Sequence, residues 1–218
     1  MFIAVDGIDG AGKTTLVKQL MKLLQPLNPI TTKEPTDRSH WGQQLRHAAL
    51  NGRLAREREI EYFHQDRLHH IEKLIRPTLD EGRPVITDRY VDSMLAFQTD
   101  TPEQAEELYQ RLVSEIIVPD ITFILNCPVS IGLGRIKRNR PHFTQYEKKN
   151  VLSRARRIYE SREGDNYIHL DASKSPEHTL EQAVKALTAR FRKIHRKWND
   201  GDADIAKGIE QRYMALCG

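Results

Sequence analysis

Two periods of apolar residues alternate along this chain of 218 residues. Short apolar runs at Phe2–Val5, Ile30–Lys33, Pro84–Thr87, Ile121–Asn126 and Tyr167–Leu170 predict five strands. The long segments between them repeat apolar positions every three or four residues, the spacing of helices with one buried face. Strand and helix in alternation predict right-handed crossovers and an α/β fold built on a parallel sheet. Ile121-Thr122-Phe123-Ile124-Leu125 is nearly continuous in its apolar character, which suits a central strand covered on both faces. Ligands of such sheets bind beyond the carboxyl ends of the strands. Residues 7–14 follow the first strand, Lys33-Glu34-Pro35 ends the second, Asp88-Arg89-Tyr90 ends the third and Asp171-Ala172-Ser173 follows the fifth. All four should meet along one edge.

The helix expected from about Glu57 to Asp80 carries an apolar stripe of Ile60, Phe63 or His64, Ile71, Leu74 or Ile75, and Leu79. Arg67 falls on that stripe, four residues from both Phe63 and Ile71. A guanidinium there needs an acceptor, because an unpaired buried charge is strongly unfavourable. A structural carboxylate would serve, although the adjacent Asp66 points to another face; a bound ligand would also serve, with Phe63 stacking on a flat base. Spacing leaves both open. Near the end of the chain, Asn199-Asp200-Gly201-Asp202 reads as a break. Ile205, Ile209 and Tyr213, with Met214 and Leu216, then suggest a short amphipathic helix that packs back or faces a partner chain. The division expected is one domain over 1–198 and a tail over 199–218.

Composition changes little in this picture. Hydrophobic residues are 39% and charged ones 29%, ordinary for a globular chain, and no apolar run approaches membrane-spanning length. The first strand begins directly after Met1, so no signal or transit peptide is expected. Cys127 and Cys217 form no metal or redox pattern, and Cys127 is expected to be a buried structural thiol in a cytoplasmic protein. The net charge of +4 does not demand nucleic acid, since handling phosphate needs local Lys and Arg in any case. The basic run Arg190, Arg192, Lys193, Arg196 and Lys197 reads as a solvated helix end.

The chemistry concentrates in Gly7-Ile8-Asp9-Gly10-Ala11-Gly12-Lys13-Thr14, a P-loop of the form G-x-x-x-x-G-K-[ST] set between a strand and a helix. Its backbone N–H groups and the helix N-terminus face an anion; Lys13 reaches the β and γ phosphates and the Thr14 hydroxyl takes a Mg²⁺ position. Asp88, at a neighbouring strand end, is placed to assist the metal, and Arg89 to hold a second phosphate by a bidentate fork. Arg135, Lys137, Arg138 and Arg140 cluster after the fourth strand, running into a loop at Asn139–Gln145, with more cations from Lys148 to Arg157. The P-loop contains no arginine, so this lid, about 138–147, is the candidate source of a transition-state cation.

Taken together, these segments resemble the thymidylate kinase family of P-loop nucleoside monophosphate kinases over about residues 1–190. The resemblance is carried by Phe2–Thr15, Lys33-Glu34-Pro35, Phe63-His64-Gln65-Asp66-Arg67, Val85–Ser93 with Ala96-Phe97-Gln98, Pro119–Thr122, Arg154–Tyr159 and Asp171-Ala172-Ser173. It implies a three-layer P-loop NTPase fold: a five-stranded parallel sheet with helices on both faces and a lid. It implies transfer of the γ-phosphoryl of ATP to dTMP with Mg²⁺, in a cytoplasmic homodimer with small-molecule nucleotides as its ligands. Residues Gly7, Asp9, Gly10, Ala11, Gly12, Lys13, Thr14 and Thr15 would cradle ATP, with Arg135, Ala172 and Ser173 near adenine. Thr14 and Asp88 would hold the metal. Arg89 would hold the acceptor phosphate and Asp9 would lie near the acceptor sugar and phosphate, with Pro35, Ser93 and Tyr159 also binding the acceptor. Phe63 would stack on thymine, Arg67 would reach a base carbonyl, Phe97 would lie against deoxyribose and Gln98 would line the base pocket. Lys13, Arg89, Arg138 and Arg140 would carry catalysis.

Several positions depart from the common pattern. Lys33 replaces an arginine, Thr36-Asp37-Arg38-Ser39-His40 replaces Gly-Gly-Thr, and Thr99-Asp100-Thr101-Pro102 replaces a Gly-rich stretch. Thr144-Gln145 precedes Tyr146-Glu147 where Asp-Arg is usual, and Met94 stands at a commonly small or polar position close to the base. These departures motivate a rival reading, a kinase for another deoxypyrimidine nucleotide or for a nucleoside. The amphipathic tail motivates another, a nucleotide-dependent switch, although a switch has no use for a second nucleotide pocket.

Overall fold

The computed structural model describes residues 1–139, 144, 146–198 and 201–217, with the backbone alone at 139, 191–198, 201–206, 216 and 217. The five expected strands are β1 (Phe2–Gly7), β2 (Ile30–Lys33), β3 (Val85–Asp88), β4 (Ile121–Asn126) and β5 (Tyr167–Asp171). They form one all-parallel sheet in the order β2-β3-β1-β4-β5. β1 extends past Val5 because β4 continues its ladder, pairing Asp6 with Ile124 and Gly7 with Leu125, whereas the pairing with β3 ends at Val5 and Asp88. Every residue of β1 is buried and nearly all of β4, whereas β2 and β5 at the edges are partly exposed. That difference is why the central runs read as continuously apolar.

From β1 the chain enters α1 (Lys13–Leu23). After β2 come α2 (His40–Asn51), α3 (Arg56–His70), a wider π turn at Ile71–Ile75 and α4 (Arg76–Asp80). After β3 come α5 (Val91–Gln98) and α6 (Pro102–Leu112); after β4, α7 (Val129–Asn139) and α8 (Lys149–Glu160). The chain closes with α9 (Pro176–Trp198) and α10 (Gly201–Cys217). Helices α1 and α9 pack on one face of the sheet, and α5 and α8 on the other, giving three layers. The helix expected over 57–80 is present, but it widens just before Pro77. Proline lacks an N–H and its ring crowds the carbonyl four residues back, and the wider turn accommodates both.

The loop between β2 and α2 is pinned from below. Asp66, buried on α3, accepts the Thr36 N–H at 2.7 Å and the Thr36 and Ser39 hydroxyls at 2.5 Å. Ser39 also caps α2 by accepting the Gly42 N–H at 2.9 Å. A Cβ at Gly42 would meet the Thr36 carbonyl oxygen at 2.3 Å and Asp66 Oδ1 at 2.6 Å, so the approach of α2 to α3 needs a glycine there. The residues that replace the family's Gly-Gly-Thr therefore anchor this loop. At the other end of the chain, α10 folds back on α9 and α1. Ile209 joins the core, while Met214 stays 70% exposed. The helix is longer than expected: Gly201 and Asp202, half of the break expected over Asn199–Asp202, already belong to it, and 199–200 lie outside the described residues. Cys127 is a buried free thiol whose pKa burial pushes up, in keeping with a structural role.

Candidate active site

The carboxyl ends of β1, β2, β3 and β5 open on a cavity of about 840 Å³, within the range of ligand sites. One wall is the P-loop, from Asp9 through Thr15. The loop lies tight against the start of α7: Gly10, at φ 78°, has the Gly132 carbonyl oxygen 2.2 Å from where a Cβ would sit. Lys13 heads α1 and is only 6% exposed, with its ammonium donating to the Ile8 carbonyl at 2.9 Å. Thr14 Oγ1 donates to Asp88 Oδ2 at 2.6 Å, which brings a hydroxyl and a carboxylate oxygen together at the cavity wall. Gly7 sits behind the cavity, where its carbonyl accepts from Arg89 at 3.4 Å.

Arg89 is the junction of the site. It follows β3 with φ 76°, a left-handed conformation that is strained for any residue with a Cβ. Its fork holds it there: Nη2 donates to Asp9 Oδ1 at 2.6 Å, and Nη1 to Ser93 Oγ at 2.9 Å and Tyr159 Oη at 3.3 Å. Burial works against its charge, but Asp9, Tyr159, Asp88 and Asp6 together hold its pKa above the ordinary arginine value. Its guanidinium also lies 5.4 Å above the Phe97 ring.

Below this junction sits Asp6, fully buried, which sequence reading missed because it lies inside an apolar strand. Asp6 accepts the Tyr90 N–H at 3.2 Å and the Ser93 hydroxyl. Burial, then the Asp92 carboxylate, raises its pKa to about 7.

Lys13 is perturbed in the opposite direction. Burial first, then Arg89, lowers its pKa to about 8 against the pull of Asp9, Asp88 and Asp6. A polyanion bound at the P-loop favours the charged form and raises that pKa again. Binding ATP at pH 8 is therefore expected to take up a fraction of a proton, about half. The affinity should weaken as pH climbs above about 8. Calorimetry of ATP binding at pH 8 in two buffers of different ionisation enthalpy measures the uptake. An enthalpy independent of buffer would show that Lys13 is already fully protonated in the free protein.

The opposite wall is largely apolar. Phe63 and Met94 line it with Leu45, Ala49 and Leu50 of α2, a stretch that sequence reading did not single out. Pro35, Ser93 and Phe97 line the cavity as well. Tyr146 joins them, packing edge-on to Phe97 at 5.5 Å beneath the Arg53 guanidinium, 4.6 Å from the Tyr146 ring. Arg67 is fully buried behind this wall and does not itself line the cavity. Its acceptor is Glu34, which receives Nε at 3.0 Å and Nη2 at 2.8 Å, while His70 Nδ1 meets the other Glu34 oxygen at 3.1 Å. Gln98 is likewise turned away, accepting from Arg53 Nη2 at 2.9 Å. Tyr159 does not itself line the cavity and reaches it through Arg89, Ser93 and an edge-on contact with Phe97 at 6.5 Å.

At the far end, Arg135 lines the cavity and ties three segments together. Its guanidinium donates to the Ala172 and Lys174 carbonyls at 2.9 Å each, and to Gly10 and Ser173 at 3.4 Å. Ala172 lines the cavity beside it, and Ser173 is held by Asp171. Arg138 is exposed on the last turn of α7 and does not line the cavity. Arg140 and most of the expected lid loop lie outside the described residues; Thr144, Tyr146 and Glu147 from its far side line the cavity. The arrangement thus sets an anion cradle against a second pocket, with cations and carboxylates where the two meet.

Comparison with known proteins agrees in kind. A family model described as thymidylate kinase matches residues 5–184. A protein named thymidylate kinase from Xanthomonas euvesicatoria pv. vesicatoria is 37% identical, over 95% of this chain and 91% of the relative. Proteins of the same name from Xanthomonas campestris pv. campestris (strain B100) and Xylella fastidiosa are each 36% identical. They cover 88% and 84% of this chain, and 86% and 88% of their own lengths.

Proposed function

The chain belongs to the thymidylate kinase family, and from that premise we infer that it transfers the γ-phosphoryl group of ATP to dTMP, giving dTDP and ADP. The observation that carries this reading is the Arg89–Asp9 pair, which lies where the P-loop cradle meets a second, apolar pocket within one cavity. ATP phosphates occupy the cradle from Asp9 through Thr15, with Gly7 supplying the turn behind it, and Lys13 lies against their β and γ oxygens. Thr14 and Asp88 would hold Mg²⁺; their adjacent hard oxygens fit an ion that takes only one or two protein ligands. Bound there, the ion would supply positive charge against the charge that develops on the transferring phosphate. Adenine lies by Arg135 and the Ala172-Ser173 backbone.

The acceptor phosphate sits on Arg89 beside Asp9, its sugar near Ser93, Phe97 and Tyr159, and its base between Pro35 and Phe63, with Gln98 supporting the pocket from behind. An oxygen of the dTMP phosphate attacks the γ phosphorus in line. The bond to the β–γ bridging oxygen breaks, and ADP departs with that oxygen. The acceptor is already ionised at pH 7, so the step needs positioning and charge neutralisation rather than a strong base. Lys13 and Arg89 supply fixed positive charge, and Arg138 and Arg140 are the lid arginines proposed to complete it. Assembly as a homodimer and a cytoplasmic location belong to the same reading and rest on family membership; no helix among the described residues is long and apolar enough to cross a membrane.

The test is ADP release with ATP and Mg²⁺ across dTMP, dUMP, dCMP, dGMP, UMP and thymidine. A marked preference for dTMP is expected. Preference for another acceptor would keep the phosphoryl-transfer chemistry and overturn the acceptor assignment.

A further inference from the structure

Asp6 does not line the cavity and takes no part in the transfer described above, yet it is a fully buried carboxylate one bond away from the acceptor side. Ser93 is the link. Among the described residues its hydroxyl donates to Asp6 Oδ1, accepts from Arg89 Nη1 at 2.9 Å and meets Tyr159 Oη at 2.8 Å. A hydroxyl has one hydrogen and two lone pairs, so the direction of that hydrogen decides the rest. With Asp6 ionised, the Ser93 hydrogen goes to the carboxylate and both lone pairs are left for Arg89 and Tyr159. Burial pushes the Tyr159 pKa up, so its phenol keeps a hydrogen to give to Ser93, and its oxygen accepts from Arg89 Nη1 at 3.3 Å. Each of these hydrogens then has an acceptor. A proton on Asp6 breaks the count. Asp6 would donate to Ser93, Ser93 would turn its hydrogen toward Tyr159, and the Tyr159 hydrogen or an Arg89 N–H would lose its acceptor away from water.

We propose that Asp6 is a positioning residue for the acceptor: ionised, it orients the Ser93 hydroxyl so that Ser93 and Tyr159 hold the Arg89 fork in the plane that receives the acceptor phosphate. The proposal rests on the acceptor reading above and deepens it. The groups facing Asp6 are Arg89 after β3, Lys13 on α1, Asp92 on α5 and the Tyr159 phenol on α8, while β4 sets only Ile124 beside it. Asp9, on the P-loop, is engaged by Arg89. Burial, then Asp92, pushes the Asp6 pKa up to about 7 against the pull of Ser93, Arg89 and Lys13. Asp92 is bonded to Arg162 at 2.8 Å and to the Tyr167 hydroxyl at 3.1 Å, whereas among the described residues no cation bonds Asp6 directly. Asp6 is therefore the carboxylate of the two that takes up a proton. Capture of the acceptor should weaken as pH falls through about 7, and capture of ATP should not follow it.

The test measures kcat/KM for dTMP and for ATP, each with the other substrate saturating, between about pH 5.5 and about pH 8.5; this quantity reports titration of the free enzyme. The proteins are the full-length wild type, Asp6→Asn and Ser93→Ala. Ionisation of the dTMP phosphate is common to all three, so it cancels in the ratio of wild type to variant. At about pH 8, Asp6→Asn should lower kcat/KM for dTMP by about tenfold and for ATP by less than about threefold. At about pH 5.5 the dTMP ratio should shrink to within about threefold, because wild-type Asp6 is then protonated as well. The ratio of wild type to Ser93→Ala should shrink in the same direction, so the profile is readable even where thermal melting shows the Asn variant unfolded. A purely structural role would lower activity by one factor at every pH. A ratio for dTMP that does not change with pH in a folded variant therefore overturns the proposal, as does a loss that falls equally on ATP. Wild-type protein that turns over ATP with another acceptor but not with dTMP would overturn the acceptor reading alone, and the same profile with that acceptor then tests Asp6.

Discussion

Lys13→Ala is expected to lower turnover by on the order of 10³-fold or more while leaving the fold intact. Lys13 is the only P-loop side chain that brings positive charge to the cradle, and it stands among Asp6, Asp9 and Asp88. Without it, the transferring phosphate would meet three carboxylates with no positive side chain left in the P-loop itself. Stability should change far less. Burial already penalises the Lys13 charge, lowering its pKa to about 8, so removing the side chain removes an unfavourable desolvation together with its bond to the Ile8 carbonyl. The measurement is steady-state turnover with dTMP, set beside a thermal melt of the same protein. Near-native turnover in a folded Lys13→Ala protein would sink the proposed site.

The second large effect is expected at Arg89. Arg89→Lys keeps the charge but should reduce kcat/KM for dTMP by about 10²-fold, with KM for dTMP rising more than KM for ATP. The side chain works as a fork: one arm on Asp9, the other on Ser93 and Tyr159, with its outer edge toward the cavity. Lysine offers a point charge with no fixed plane, so it cannot hold these partners and a phosphate together. It would also inherit the left-handed backbone at φ 76° without the bonds that hold it. Initial-rate measurements with each substrate varied in turn separate the two KM values. A larger effect on ATP than on dTMP would move Arg89 to the donor side and require another acceptor-phosphate ligand.

The strands and the P-loop were legible because their signals are local. Each apolar run in β1 and β4 reflects burial on both faces of a central strand, and the glycines around Lys13 reflect a turn no other residue makes without strain. The helical stripe also placed Arg67 inside correctly. Its periodicity could not name the acceptor, and the structure answers with Glu34, a residue 33 positions away at the end of another strand. Gln98 shows the same limit. It sits in a motif that pointed to the base pocket, yet Arg53, 45 positions earlier, draws its side chain the other way.

What the amino-acid order determined by itself is the set of elements, the phosphate cradle and the side chains carrying the charge. Each depends on the steric preferences and burial of neighbours along the chain. Only the tertiary structure decided which carboxylate meets which donor: Asp9 with the Arg89 guanidinium across 80 positions, and Asp6 with the Ser93 hydroxyl across 87. Those pairings follow from the strand order β2-β3-β1-β4-β5, which sets the carboxyl ends of β1 and β3 side by side. Coulomb attraction and hydrogen bonds act over a few ångströms in space with no regard to separation in sequence, so the sheet chooses the partners.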